Sequence, residues 1–308
     1  MNITIAPASP IFLRIGQLAF TAVLIVLLWT AADGPEIVRT LSGANLVWLF
    51  AAVGALICQT VLSAWRWKIT AAELGQALSL RLAVREYFIG QAVNQALPGG
   101  VIGDAARAVR TRSEVGLALS GFAVGLERLA GQIAMFVTFT CAFAVTYLLE
   151  GGLDWPPRYA AAIGLTIGLV IFAVVCGAIL RRRTGLLNKT VLRWLDMAMG
   201  VLASRRVLPA QITLGIIITL CNIAAFGFCA WAVGVPLSIG PLFAIVPLIL
   251  FSMLIPLTVS GWGIREGSAA LLLPLAGASV SEAVAASVLF GIAMLLAIIP
   301  SFIIMVTK

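Results

Sequence analysis

Histidine is absent from the 308-residue sequence, and with it imidazole acid/base catalysis and His-ligated metal centres. Charge is scarce as well. Only 10% of residues are charged, against about 25% in a soluble domain. A chain so poor in charge does not cover a water-facing surface, bind nucleic acid through a basic face or stay disordered. Aspartate occurs only at Asp33, Asp104, Asp154 and Asp196, with no Asp-x-Asp and no G-x-x-x-x-G-K-[ST]. The acid/base and metal sets of an enzyme acting on lipid phosphates are therefore missing, and nothing cradles a nucleotide. Cys58, Cys141, Cys176, Cys221 and Cys229 sit in apolar runs without Cys-x-x-Cys spacing, so they are expected as small buried hydrophobes. No cofactor and no metal is expected.

What is abundant is apolar: 62% of residues are hydrophobic. A membrane span takes about 20 such residues, and runs of that kind lie at 11–30, 45–65, 128–149, 159–180, 208–232 and 283–306. Two further apolar stretches, 82–116 and 237–278, are broken at their centres by Pro, Gly and charge. The expected fold class is all-α and polytopic. It has about six full spans plus two helical hairpins that enter the membrane and turn back, with short kinked full spans as the competing reading of the hairpins. Residues 1–308 form one integral membrane domain on this reading.

Positive charge orients the spans, because loops rich in Lys and Arg stay in the cytoplasm. Arg66, Lys68, Arg81 and Arg85 follow the second run, and Arg181, Arg182, Arg183, Lys189, Arg193, Arg205 and Arg206 follow the fourth. Both clusters are expected in the cytoplasm, the loops 31–44 and 150–158 outside, and both termini inside. The first hairpin then dips from the cytoplasmic side and the second from the outer side, the layout of an inverted repeat. A cleaved signal peptide ending near Thr30-Ala31-Ala32 competes for the first run, although its positive leader is the single Arg14. In 184–206, Leu187, Val191, Leu195, Met199 and Leu202 recur at helical spacing with charge on the other faces. That pattern predicts a helix on the cytoplasmic surface. Trp65-Arg66-Trp67-Lys68 reads as an interfacial aromatic and basic belt.

Chemistry concentrates at the two hairpin tips. The first runs from Asn94 through Pro98, Gly99, Gly100 and Gly103 to Asp104, Arg107 and Arg110. Pro98 stops one helix, the glycines turn the chain, and a new helix starting near Gly103 directs unpaired N–H groups at an anion. Asp104, Arg107 and Arg110 share one helix face, so guanidinium and backbone together can hold a phosphate. Asp104 serves equally well as a helix cap. The second tip repeats this logic with Pro256, Gly261, Gly263, Arg265 and Glu266. Neighbours on a helix do not face each other, so Arg265 is not expected to pair with Glu266; a bond across the hairpins, such as Asp104 with Arg265, is one alternative. Glu127 and Arg128 are a third charged site, at membrane depth or at the interface. Asp104 and Glu266 are candidates for proton coupling.

Three motifs carry a resemblance: N-Q-A-L-P-G-G-V-I-G-D-A-A-R over 94–107, L-E-R-L over 126–129, and Ile255-Pro256 followed by S-G-W-G-I-R-E-G over 260–267. In that order they resemble the lysylphosphatidylglycerol synthase transmembrane, or flippase-like, family over essentially the whole chain. In relatives such as the multiple peptide resistance factors, a domain of this type moves aminoacylated phosphatidylglycerol between leaflets and a separate soluble domain makes that lipid. The resemblance implies a stand-alone member without the synthase domain, in the bacterial cytoplasmic membrane.

The expected function is a lipid translocase that moves an anionic or modified phospholipid, or a polyprenyl or glycolipid, without ATP. Its expected partner is a membrane lipid with a phosphate-bearing headgroup, not nucleic acid, and a homo-oligomer fits as well as a monomer. A secondary transporter of a small polar solute or ion, or a membrane-embedded lipid-modifying enzyme, are the alternatives.

Overall fold

The computed structural model describes residues 10–97, 100–113, 115–149, 152–182 and 189–306. Every regular element among them is helical. The first half comprises α1 (Pro10–Ala31), α2 (Gly34–Ser42), α3 (Leu46–Glu73), α4 (Leu80–Ala96), α5 (Ile102–Arg110), α6 (Gly116–Leu148) and α7 (Pro157–Arg182). The second comprises α8 (Lys189–Leu202), α9 (Leu208–Ala232), α10 (Ile239–Ser252), α11 (Ile264–Leu272), α12 (Val280–Ala297) and α13 (Ile299–Val306). Polar residues set several starts. Asn45 accepts the Val47 N–H at 2.9 Å, Ser79 the Leu82 N–H at 3.2 Å and Ser279 the Glu282 N–H at 3.2 Å, each satisfying a donor that a helix start leaves open.

Among the described residues, five helical segments are long and apolar enough to cross a bilayer: Leu46–Glu73, Gly116–Leu148, Pro157–Ile179, Leu208–Ala232 and Val280–Phe302. Ile15–Ala31 and Gly34–Ser42 make a sixth if this pair, bent by 88°, is one span. The bend corrects the expectation of an outer loop over 31–44. Asp33 turns the chain at φ 51°, and Pro35 in the first turn then favours a second helix. The broken stretches become helix pairs, α4 against α5 and α10 against α11. With nine residues each, α5 and α11 reach about 14 Å at 1.5 Å per residue. Neither can cross a hydrocarbon core of about 30 Å alone.

The longest packed seam joins α3 to α9, and α12 covers both. Around it lies the larger core, with Ala52, Leu56, Ile223, Phe226, Ala244, Ile245 and Phe290. A smaller core of Ala64, Trp67, Ala71, Ala83, Ala108 and Ala123 binds the far end of α3 to α4, α5 and α6. None of the apolar window of α7 is buried inside the protein. The cysteines follow the same logic and correct the expectation of burial. Only Cys229 is buried, while Cys58 and Cys141 lie on outer helix faces, because in a bilayer the apolar solvent is lipid and an apolar residue need not seek the core. All five are free thiols. The described part of 184–206 is the helix α8, which rests on α3 and α6 and sets Trp194 edge-on to Phe122 at 4.7 Å. Residues 184–188 lie outside the described residues.

Candidate functional site

Apolar helices carry polar stripes at helical spacing, and the stripes meet. On α3 the stripe is Gln59, Ser63, Arg66 and Thr70; on α4 it is Tyr87, Gln91 and Asn94 or Gln95. Except for Thr70, these line a cavity of about 350 Å³ with Glu127, Arg128 and Gln132 of α6 and Thr219 and Asn222 of α9. The connections after α4 and α10 close it, through Gly100 and Val101 on one side and Ile255, Pro256, Thr258, Ser260 and Gly261 on the other.

Ion pairs from three helices form one wall. Glu127 pairs with Arg66 at 2.7 Å and with Arg107 at 3.1 Å, all three fully buried. The Tyr87 hydroxyl donates to the same carboxylate at 3.3 Å. Asp104 pairs with Arg107 at 3.0 Å and with Arg128 at 2.6 Å. The Arg107 guanidinium is wedged between the Trp67 and Tyr87 rings, 4.7 and 4.4 Å from their centroids, a favourable place for a desolvated cation. Three guanidinium groups thus face two carboxylates, and one positive charge is in excess. Arg66 keeps Nε and Nη1 without a hydrogen-bond partner among the described residues, although both are buried. Buried donors of that kind cost free energy unless a ligand or water satisfies them.

The helix start at the first tip is built differently from the expectation. Asn94 caps α5 by accepting the Gly103 N–H at 2.7 Å, and donates to Asp104 at 3.1 Å. Asp104 caps nothing; its oxygens are taken by Arg107, Arg128 and Asn94. Close helix contact makes this reach feasible, since any Cβ on Gly103 would collide with the Gly90 carbonyl. Gly100 turns the chain at φ 60°, and its carbonyl accepts from Arg128 at 2.9 Å. Pro98 and Gly99 lie outside the described residues.

At the second tip, Gly261 and Gly263 take φ of 79° and 86°. Pro256 accepts from Gln17 of α1 at 2.8 Å. Glu266 reaches back over one turn to accept the Gly263 N–H at 2.6 Å, so capping is what its geometry shows. Arg265 does pair with Glu266, against expectation. That carboxylate is pulled back to the helix start, where the Arg265 side chain curls to meet it and Ser287 of α12 ties both together, donating to Glu266 at 3.2 Å. Arg265 is sealed between Trp262 and Phe290, 5.0 and 5.5 Å from the ring centroids. No bond joins Asp104 to Arg265 among the described residues, because each finds its counter-charge within its own half. The tips touch through Ser260, which donates to Gln95 at 2.5 Å.

Of the residues singled out in the sequence, Asn94, Gly100, Asp104, Glu127, Arg128, Pro256 and Gly261 line the cavity. Glu127 is buried among protein groups. Arg107 braces the wall from behind. Arg110 is exposed and pairs with Glu86, away from the cavity. Sequence reasoning missed Arg66, Tyr87 and the carboxamides Gln59 and Gln91. The signal was there in the polar stripes, but Arg66 sat inside an aromatic and basic cluster that reads as a membrane-interface belt.

The profile of the lysylphosphatidylglycerol synthase TM region matches residues 14–301. The chain belongs to this family. With its apolar helices, membership makes it a multi-pass membrane protein related to lipid biosynthesis or translocation. No curated protein and no solved structure matches the chain.

Proposed function

We propose that the protein is a lipid translocase of the bacterial cytoplasmic membrane, with both termini in the cytoplasm. It moves a lipid with a phosphate-bearing headgroup, an anionic or modified phospholipid or a polyprenyl or glycolipid, between leaflets without ATP and without a catalytic step. The observation that carries this reading is the cavity between two helix breaks, whose wall holds one positive charge in excess and whose Arg66 has unpartnered buried donors. Charges inside a membrane protein are costly and mark pathways. Arg66 and Arg128, which line the cavity, are the phosphate ligands; Arg107 positions Glu127 and Asp104 behind them. The short helices α5 and α11 support opposed re-entrant hairpins that rock to expose the cavity to either leaflet in turn.

The test is transbilayer movement of labelled phosphatidylglycerol in vesicles reconstituted with the purified chain. Transport above that of protein-free vesicles, lost in a folded Arg66→Gln plus Arg128→Gln variant, supports the reading. Movement no faster than in protein-free vesicles for every phosphate lipid tried rejects it.

A further inference from the structure

A second cavity of about 150 Å³ adjoins the first and shares Gln59, Gln91, Gln95 and Asn222 with it. Its chemistry is different. Thr60 and Met294 also line it, and among the described residues no charged side chain does. At roughly 30 Å³ per liquid water it holds the volume of about five waters, the size of one sugar ring or short polyol. Carboxamides and hydroxyls both donate and accept, which matches the dual character of an alcohol group. Part of that capacity is open. Gln91 uses its carbonyl oxygen to accept from Thr60 at 2.9 Å, while its amide N–H₂ and the side chain of Gln132 have no partner among the described residues. The Thr258 hydroxyl at the second tip is 2% exposed, lines the first cavity and is likewise unpartnered among the described residues.

An ammonium-bearing headgroup meets a poor reception here. It has donors only and needs a carboxylate, yet Asp104 and Glu127 are each held by two guanidinium groups. We infer that the cargo headgroup is a polyhydroxylated phosphate, a sugar or polyol phosphate, with its phosphate on Arg66 and Arg128 and its hydroxyls in the carboxamide chamber. A hydrocarbon or a bare phosphate leaves the chamber's polar groups unmatched, and a site built for hydroxyls discriminates against ligands that lack them. This assignment rests on the translocase reading above, because it treats the cavity as a headgroup seat.

The experiment measures binding of three soluble probes to the purified full chain: glucose 1-phosphate, inorganic phosphate and phosphoethanolamine. Two or three added hydrogen bonds make glucose 1-phosphate at least about tenfold tighter than inorganic phosphate, and phosphoethanolamine no tighter than phosphate. In Gln91→Ala plus Asn222→Ala the ratio of the first two falls to about one; should that pair not fold, Gln91→Leu and Asn222→Leu singly each lower it. Equal binding of glucose 1-phosphate and phosphate, a ratio that survives these variants, or a preference for phosphoethanolamine overturns the assignment. Vesicle transport is scored separately. Loss of the probe ranking with transport intact removes the headgroup assignment alone, and an intact ranking without transport supports the seat while removing the translocase reading.

Discussion

Two helix breaks of similar sequence end in opposite environments. After α4, five charged side chains from α3, α5 and α6 are strung into a network that borders open space. After α10, one Arg–Glu pair is closed within α11 and sealed by Trp262, Phe290 and Ser287. The difference lies in who caps the new helix. At the first break Asn94 does it from a neighbouring helix, which frees Asp104 to reach Arg107 and Arg128. At the second Glu266 caps its own helix and draws Arg265 inward. A carboxylate released from capping becomes part of the cavity wall; one used for capping becomes part of a closed helix start.

The comparison breaks most visibly at the central carboxylates. Glu127→Gln leaves Arg66 and Arg107 without their shared counter-charge in a buried site, at a cost of about 3–5 kcal/mol. Glu266→Gln strands Arg265 at a cost of similar size. Thermal unfolding is expected to register both losses. Only the Glu127 variant is expected to alter phosphate binding as well, since Arg265 and Glu266 do not line the cavity. Equal effects on binding would mean that the second pair is not sealed off from the cavity.

Much of this contrast was legible in the sequence and its centre was not. Hydropathy located α3, α6, α7, α9 and α12, and Pro and Gly located both breaks. The charges at 104, 127 and 128 stood out because charge in an apolar run is costly, even with a helix cap and a membrane interface as competing explanations. Partner choice was hidden, because it depends on helix packing: Arg66 and Glu127 are 61 positions apart and meet only once α3 and α6 are neighbours. The Arg265–Glu266 pair was hidden for the opposite reason. Helical spacing argues against adjacent residues meeting, and the backward reach of the capping Glu266 overrides it.

Gly103→Ala is the next largest effect. The added methyl would have to sit on the Gly90 carbonyl, which is backbone and does not yield, so α4 and α5 must part. A loss of about 1–3 kcal/mol is expected, with weaker phosphate binding because Asn94 no longer reaches its cap. Ser260→Ala is milder. It removes the hydroxyl that ties the second tip to Gln95, worth about 1 kcal/mol. A thiol probe introduced by Thr258→Cys, a buried position of the same tip, in a background freed of the five native cysteines, should react faster once Ser260 is replaced. An unchanged rate would mean that the contact does not hold the two tips together.

The smallest expected effect is the most informative about the wall. Arg110 looks like part of the phosphate seat in sequence, three residues beyond Arg107 and six beyond Asp104. Its guanidinium instead meets Glu86, with 36% of its side chain exposed. A partly exposed pair of this kind contributes at most about 1 kcal/mol, so Arg110→Gln should unfold within a few degrees of the parent. It should bind phosphate as the parent does, because Arg110 does not line the cavity. Arg66→Gln, by contrast, removes a guanidinium that lines the cavity and keeps two unpartnered buried donors, and should weaken phosphate binding by about tenfold or more. The reverse order, with Arg110 the costlier loss, would move the anion seat out of the cavity to the α4–α5 surface.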